Sequence, residues 1–599
     1  MLRRFVSVVL LATLFCTAVS ASHQVGLDTA DRLRYDVHYL ASPALEGRSV
    51  GSLGARLAAD LIARRFSDLG LQPVGGFLHE FSFIDTIQPG PDNQMALTFP
   101  DREKEWAAAD QFEPLSFSSA GEASGEVVFA GYGIRAAEPA YDDYAGLDVT
   151  GKVVLALRYS PDGDDPDSPF QPFMALRRKA SEARAAGAAA LLVATGPVGA
   201  RDTSPVKLSF DASFSDAGLP VFGISTDLAV ALFHGQGFTL AELQERINLR
   251  REPASRPLDV TASLRSDVAQ QRAICNNVIA KVPGIHPELA GEIIVVGAHY
   301  DHLGFGGEGS GSLVPDLQVI HPGADDNASG VAALLEIARD LAGRPTSRTV
   351  VLAAFSAEER GLLGSAHMVQ NLPFPREQVV AMVNLDMVGR PPEGEHLNIG
   401  GVGTAEEWPG LLEQVGSRHH LRLATSRGGF GASDHSSFYS VGIPVLFFFT
   451  GAHEDYHRPS DLPDRIDYPG LERVTSFVLE TVRSVADLPT RPTFVRVDDE
   501  GPGERRGLRV RTGVIPDFGW EGEGFKISGV RGGSPADRAG LQAGDIIMQL
   551  GQRETRNIYD YMYALGDHQP GETVPMTILR GERSLTLEVT LESGSGGGR

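Results

Sequence analysis

Short apolar runs alternate with longer amphipathic stretches between residues 277 and 450. The runs are bounded by Gly, Pro and polar residues, as is typical of buried strands; they cover 278–282, 293–297, 349–355, 379–385 and 444–449. Between them, stretches such as 328–341 and 362–369 carry apolar residues at the three- and four-residue spacing of a helix. This alternation predicts an α/β fold in which helices cover a sheet.

The pattern differs on either side of this region. Apolar positions recur at helical spacing within residues 31–70, whereas residues 120–259 hold short strand-like runs around one helix-like stretch, 175–186. We interpret this block as an inserted domain, because it carries no catalytic constellation of His, Asp and Glu. A segment rich in Pro, Arg, Asp and Gly, 489–507, indicates a linker, and the residues after it alternate like the strands of a small β domain.

Length, charge and the amino terminus narrow the class of protein. A chain of 599 residues is too long for one core, and its net charge of −24 argues against nucleic acid or an anionic membrane as a partner. Residues 1–22 indicate a signal peptide, with Arg3 and Arg4 before an apolar run and small residues at 18–21. The predicted mature protein is secreted or periplasmic and has no membrane span after cleavage. Its remaining cysteine, Cys275, is expected to be a buried thiol.

Acidic and histidine side chains follow the predicted strands. His299, Glu358, Glu359 and Asp386 each come just after an apolar run, and in such sheets functional groups gather at the carboxyl ends of the strands. Any one of these residues is more often a surface charge or a helix cap. Five segments together indicate a metal site, because two loops add the candidates Asp325-Asp326-Asn327 and Asp455-Tyr456-His457.

These side chains suit a particular group of metals. Carboxylate oxygens and imidazole nitrogens without cysteine favour Zn²⁺, with Mn²⁺ or Co²⁺ as alternatives. We expect Asp301 to accept a hydrogen bond from His299, two residues before it, and one carboxylate could bridge two ions about 3.5–4 Å apart. If Glu359 is a ligand, its neighbour Glu358 could take a proton from a water molecule. We assign no role to several other histidines of this region, namely His302, His321, His367, His396, His419 and His420, because a single such residue is more often a surface charge or a helix cap.

Five motifs, in this order and spacing, resemble peptidase family M28, a family of di-zinc aminopeptidases. They are residues 299–301 (HYD), 323–330 (GADDNASG), 357–365 (AEERGLLGS), 384–389 (NLDMVG) and 456–457 (YH). The resemblance implies a zinc-exopeptidase-like mixed sheet covered by helices, and two Zn²⁺ per chain. It implies that one ion is held by His299 and Asp386, the other by Glu359 and His457, and that Asp326 bridges them. It also implies Glu358 as the general base and Asp301 as the acid behind the first site.

The same resemblance divides the chain into domains. The peptidase domain would be discontinuous, 27–118 and 268–488, and the intervening 119–262 resembles a β-rich protease-associated (PA) domain through residues 151–154 (GKVV) and 186–189 (AGAA). Residues 508–593 resemble a PDZ domain through 533–536 (GSPA) and 544–547 (GDII). A PDZ domain implies a possible peptide carboxyl terminus as a partner.

The resemblance implies an exported aminopeptidase that acts on peptides, with Tyr456, Asp434 and His435 as expected substrate contacts. Two alternatives stay open. Relatives with this fold cyclise amino-terminal glutamine or hydrolyse other amide bonds, and metal stoichiometry would discriminate between them. The chain could instead be a peptide-binding envelope protein with an idle hydrolase domain, which the full set of ligands and Glu358 disfavour.

Overall fold

A computed structural model describes residues 26–497 and 510–593, apart from 103, 200–201, 208–215, 308, 392–396, 420, 518–519 and 521. The predicted signal peptide and the second half of the predicted linker lie outside these residues. The chain divides into two compact units. The first holds the residues up to 83 and 274–501, and the second holds 84–273 and the residues from 502 onward.

The first unit is built on a mixed eight-stranded sheet. Its strands, in order across the sheet, are Gln72–Pro89, Val268–Val282, Thr349–Phe355, Ile293–His299, Val379–Leu385, Val445–Phe449, Leu397–Gly400 and Leu423–Thr425. The four central strands are parallel, and the strands that flank them run antiparallel to their neighbours. The predicted α/β fold is therefore confirmed, with a central parallel sheet at the positions of the apolar runs.

Successive residues of the central strands are buried on opposite faces of the sheet. Ile294 and Val296 pack with the helices of one face, and Ile293 and Val295 pack with those of the other, which explains why these strands read as continuous apolar runs. The first face is covered by Thr29–Leu40, Leu53–Asp68, Gly330–Gly343, Trp408–His419 and Tyr468–Ala486. The second face is covered by Leu363–Gln370 and His435–Ser440, and short turns lie at Pro43–Arg48, Ala324–Ser329, Arg376–Gln378 and Pro463–Arg465.

A buried arginine ties the amino-terminal turn to the loops beside the sheet. The guanidinium of Arg48 is fully buried and donates hydrogen bonds to the carbonyl oxygens of Tyr300 at 2.8 Å, Pro322 at 2.7 Å and Gly323 at 2.9 Å. A further bond goes to the carbonyl of Leu40. The guanidinium of Arg48 therefore forms hydrogen bonds with backbone carbonyls at both ends of the loop 300–323.

We expect Arg48→Met to lower the free energy of unfolding by about 3 kcal/mol or more, because it leaves several buried carbonyls without a donor. Urea-induced unfolding of the full chain measures this loss. Arg56→Met is the matched control, since Arg56 lies on an exposed surface and bonds one carbonyl; its effect should stay within about 0.5 kcal/mol. Equal stabilities of the two variants would contradict the anchoring role of Arg48.

The second unit contains another eight-stranded sheet. Its strands, in order, are Glu105–Trp106, Gln94–Thr98, Arg256–Ser266, Gly121–Phe129, Val153–Leu157, Ala190–Ala194, Val221–Ile224 and Phe112–Pro114. Three of them lie before residue 119, so the sheet extends beyond the boundary predicted for the inserted domain. The remaining elements of this part are the hairpin Arg135–Ala136 with Tyr141–Asp142, the turn Gln171–Phe173, and the helices Leu176–Ala185, Thr226–Ala231 and Leu240–Arg250.

The carboxyl-terminal residues form a small β domain. It comprises strands Val510–Arg511, Val514–Pro516, Phe525–Val530, Ile546–Leu550, Arg553–Glu554, Thr573–Arg580, Arg583–Thr590 and Glu592–Ser593, with helices Pro535–Arg538 and Ile558–Gly566. This domain contacts the inserted domain through charged side chains: Arg184 lies 2.8 Å from Asp560, and Arg553 lies 2.9 Å from Glu182. Among the described residues of the whole chain, no helix is both long and apolar enough to cross a membrane.

Candidate metal centre

The parallel strands bring the predicted ligands to one edge of the first unit's sheet. His299 ends its strand, Asp386 follows the strand Val379–Leu385, and a tight turn after Thr349–Phe355 presents Glu358 and Glu359. Because these strands run parallel, their carboxyl ends lie side by side. Asp326 and His457 reach the same place from loops, so the five predicted ligands, which come from five segments, converge.

The distances among these side chains define two adjacent groups. In the first site, His299 Nε2 lies 3.3 Å from Asp326 Oδ1 and 3.4 Å from Asp386 Oδ1. In the second site, His457 Nε2 lies 3.2 Å from Asp326 Oδ2 and 3.2 Å from Glu359 Oε2. Asp326 therefore contributes one oxygen to each site, as a bridging ligand does.

The geometry and charge of this cluster fit zinc. Ligand atoms bound to one tetrahedral zinc at about 2.0–2.1 Å lie about 3.3 Å from one another, and the four distances above are close to that value. Carboxylates also outnumber imidazoles here, so the cluster favours added positive charge. Burial by itself would lower the pKa of His457, yet its hydrogen bonds to Asp326 and Glu359 raise it to about 10.

Glu358 lies beside the first site without belonging to either set of close contacts. One of its oxygens is within 4.8 Å of ligand atoms of His299 and Asp386. Removal of the carboxylate from water raises its pKa well above the usual range; the imidazole of His299 opposes this shift, and the carboxylate of Glu359 reinforces it. A carboxylate so placed can hold a proton close to the reacting atoms.

The structure corrects the contact expected for Asp301. Its carboxylate lies 4.0 Å from His299 Nδ1, which is too far for a hydrogen bond, and the imidazole instead faces the backbone carbonyl of Asp301 at 3.2 Å. The carboxylate accepts the backbone N–H of Glu358 at 3.1 Å and that of Glu359 at 3.4 Å. Asp301 follows the strand Ile293–His299, which lies beside the strand that leads into this turn. Its two hydrogen bonds therefore hold in place the turn that carries both glutamates.

Other polar groups orient the carboxylates of the cluster. Ser433 Oγ donates to Asp386 Oδ2 at 2.7 Å and itself accepts from Asn384 Nδ2 at 2.8 Å. Asp461 accepts the backbone N–H groups of Asp325 at 2.9 Å and Asp326 at 3.1 Å. Sequence reasoning missed Asp461, since nothing in its local sequence distinguishes it from a surface acid.

A loop near the centre is attached to one of the ligands. His457 Nδ1 lies 2.9 Å from the carbonyl oxygen of Gly311, and Leu313 donates its backbone N–H to the carbonyl of His457 at 3.1 Å. His457 has a φ of 52°, Ala357, which precedes Glu358, has a φ of 57°, and Met387, which follows Asp386, has a φ of 50°. Such left-handed conformations are unfavourable for these residue types, and strain of this kind concentrates at functional sites.

The predicted substrate contacts lie in different surroundings. Asp434 and His435 are buried, and the ring of His435 stacks on Phe447 with 4.3 Å between centroids. Burial lowers the pKa of His435 to about 3 and raises that of Asp434 to about 7. Neither side chain is exposed to a substrate in this structure, and their role as substrate contacts stays a prediction. Tyr456 stays a candidate, because it is partly exposed and stacks on His457 with 3.8 Å between ring centroids.

Comparison with family models identifies three domains in the chain. Residues 277–482 match peptidase family M28, residues 123–232 match the PA domain, and residues 491–591 match the PDZ domain. These matches confirm the three resemblances drawn from the sequence motifs, and the first of them contains every predicted ligand.

Curated relatives match parts of the chain. Aminopeptidase YwaD of Bacillus subtilis is 27% identical over 58% of this chain and 66% of its own length. An aminopeptidase of Pseudomonas aeruginosa is 33% identical over 32% of this chain and 34% of its own length. A solved aminopeptidase from Aneurinibacillus sp. strain AM-1 is 23% identical, with a TM-score of 0.47 over 78% of this chain and 96% of its own. The chain thus spans between a third and two thirds of these curated relatives' length.

Proposed function

We propose that this chain, whose residues 277–482 match peptidase family M28, is a zinc-dependent aminopeptidase that removes residues from the free amino termini of peptides. The observation that carries the proposal is the pair of adjacent groups joined by Asp326, with ligand-to-ligand distances of 3.2 to 3.4 Å. These groups would hold two Zn²⁺ per chain. Relatives named as aminopeptidases and zinc metalloproteases support the same activity.

In this proposal, the chain's own residues would supply the acid–base chemistry. Bound zinc ions would polarise the scissile carbonyl and lower the pKa of a water molecule. The carboxylate of Glu358 would take a proton from the attacking water and deliver it to the nitrogen of the leaving amine. Asp301 would keep Glu358 in place by accepting its backbone N–H. A further acidic group beside the two ions would bind the ammonium group of the substrate, which would select peptides with a free amino terminus.

The other parts of the chain suggest where the enzyme acts. Export to the periplasm or the medium rests on the signal peptide predicted at residues 1–22. The PA domain would restrict access of substrates, and the PDZ domain would bind the carboxyl terminus of a peptide along a sheet edge. Neither domain contributes a ligand to the proposed metal centre.

The proposal is tested with matched peptides that differ only at the amino terminus. Zinc-loaded protein is incubated with unblocked and amino-terminally acetylated peptides of the same sequence, and released amino acids are quantified. We expect release from the unblocked peptides alone, and loss of that release after treatment with a chelator.

Three results would overturn the proposal. Equal cleavage of acetylated peptides would exclude an exopeptidase that requires a free amino terminus. No cleavage of any peptide, with two zinc ions bound, would favour a peptide-binding protein with an idle hydrolase domain. Cyclisation of an amino-terminal glutamine without release of an amino acid would instead favour a cyclase.

A further inference from the structure

A third histidine lies against the second site. His302 comes three residues after His299, and its side chain is fully buried. The sequence alone assigned it no role, because a single residue of this kind is more often a surface charge or a helix cap. The structure places its ring next to that of His457, with 5.9 Å between the ring centroids.

The distances from His302 separate it from the proposed ligands. Its Nδ1 lies 2.8 Å from Glu359 Oε1 and 3.8 Å from Asp326 Oδ2. Two ligands of one tetrahedral zinc would lie about 3.3 Å apart, as His457 and its partners do. A separation of 2.8 Å is instead that of a hydrogen bond. His302 is therefore placed to donate to a ligand rather than to bind the metal.

Packing holds the ring of His302 in this orientation. A Cβ atom at Gly323 would lie 2.5 Å from its Cδ2 atom, so the glycine leaves just enough room for the imidazole. The backbone N–H of His302 donates to the carbonyl of Arg48 at 3.2 Å. Its Nε2 has no hydrogen-bond partner among the described residues. The neutral tautomer with its proton on Nδ1 therefore avoids an unsatisfied buried N–H group.

We infer that His302 is a positioning residue for the second metal site, donating its Nδ1–H to Glu359 Oε1 so that Glu359 presents Oε2 to the ion. This inference rests on the proposed function, since it takes Glu359 and His457 as ligands. The two oxygens of Glu359 have separate partners in the structure: Oε1 faces His302 and Oε2 faces His457 Nε2 at 3.2 Å. Without the donor, the carboxylate could rotate and reorient Oε2.

Three variants isolate the donor at Nδ1. His302→Phe keeps a ring of similar size but removes the N–H group, whereas the side-chain amide of His302→Asn places a donor close to the position of Nδ1. His419→Phe is the matched control, because His419 lies 2.6 Å from Glu480 in another His–Glu pair of the same unit. Zinc content and the dissociation constant of each ion are measured by competition with a chromophoric chelator, and Co²⁺-loaded protein gives an absorption spectrum of each site.

We expect His302→Phe to weaken the binding of one of the two ions by about 10- to 100-fold, the usual effect of removing a hydrogen-bond partner of a ligand. The other ion should bind as in the wild type. His302→Asn should bind both ions much more tightly than His302→Phe, and His419→Phe should match the wild type. In the chelator-treated state, the thermal unfolding of His302→Phe should match that of His302→Asn.

Several outcomes would overturn the inference. Wild-type affinity for both ions in His302→Phe would exclude a positioning role, and equal weakening in His302→Asn would exclude the donor at Nδ1. Complete loss of one ion, as expected for His457→Ala, would make His302 a ligand. A wild-type protein that binds fewer than two ions would contradict the proposed function itself, and the inference with it.

Discussion

Glu358→Gln is expected to lower kcat for unblocked peptides by about 10²- to 10⁴-fold, because an amide cannot accept the proton that the carboxylate takes from water. Zinc content should not change, since Glu358 lies outside the close contacts of both sites. Steady-state release of amino acids gives kcat, and metal analysis of the same preparation gives the zinc content.

An exposed glutamate provides the control for this variant. Glu377→Gln removes the same charge from the surface of the same unit and should leave kcat at the wild-type value. If Glu358→Gln retained half or more of the wild-type kcat, another group would have to move the proton. If it lost zinc together with activity, Glu358 would have to be reassigned as a ligand.

Asp326→Asn is expected to weaken the binding of both zinc ions by more than about 100-fold, since it alters the one carboxylate whose two oxygens face His299 and His457. This exceeds the effect of changing a group that only orients a ligand, which is about 10- to 100-fold. Activity should fall with the metal. Zinc content after dialysis against a chelator measures the effect.

The comparison with Asp386→Asn makes this prediction specific. Asp386 faces His299 at 3.4 Å and belongs to the first site, so its variant should weaken the binding of one ion more than the other. Retention of one tightly bound ion by Asp326→Asn, as in Asp386→Asn, would contradict a bridging role.

The sequence was most informative where burial and chemistry coincide. The runs 293–297, 349–355 and 379–385 are almost entirely apolar because both faces of a central parallel sheet are covered, and this made the strands recognisable in the sequence. The ligands that follow them could then be placed at one edge. His457 does not follow such a run, so its role came from resemblance to family M28 rather than from the pattern around it.

The contacts that orient the ligands could not be predicted from sequence. Asp461 and His302 bond groups far from them in the chain, and their local surroundings match those of many surface or core residues. Arg48 lies 252 residues before Tyr300, whose carbonyl it binds. Such contacts depend on how the loops are arranged in three dimensions. The periodicity of the local sequence carries no information about that arrangement.

The boundary at which the inserted domain begins could not be predicted from the sequence either, because it too depends on contacts between distant segments. Strand Gln94–Thr98 pairs with Arg256–Ser266 across the length of the inserted domain, although its sequence resembles any short strand. Likewise, the strands Leu397–Gly400 and Leu423–Thr425 hold four and three residues, which is too short for an alternating pattern to be recognised. Pairing, rather than composition, assigns these segments to their sheets.

Two contacts join His457 to the loop around Gly311 and Leu313, one through its imidazole and one through its backbone carbonyl, so zinc binding at His457 would be linked to the position of this loop. In the proposed centre, ion binding and loop closure act on the same imidazole, so each would favour the other by an equal free energy. A peptide that binds against this loop would then increase the affinity for zinc for as long as the peptide is bound. When the product leaves, the loop would become less ordered and zinc would be bound less tightly. The affinity for zinc would thus rise and fall once in each round of catalysis.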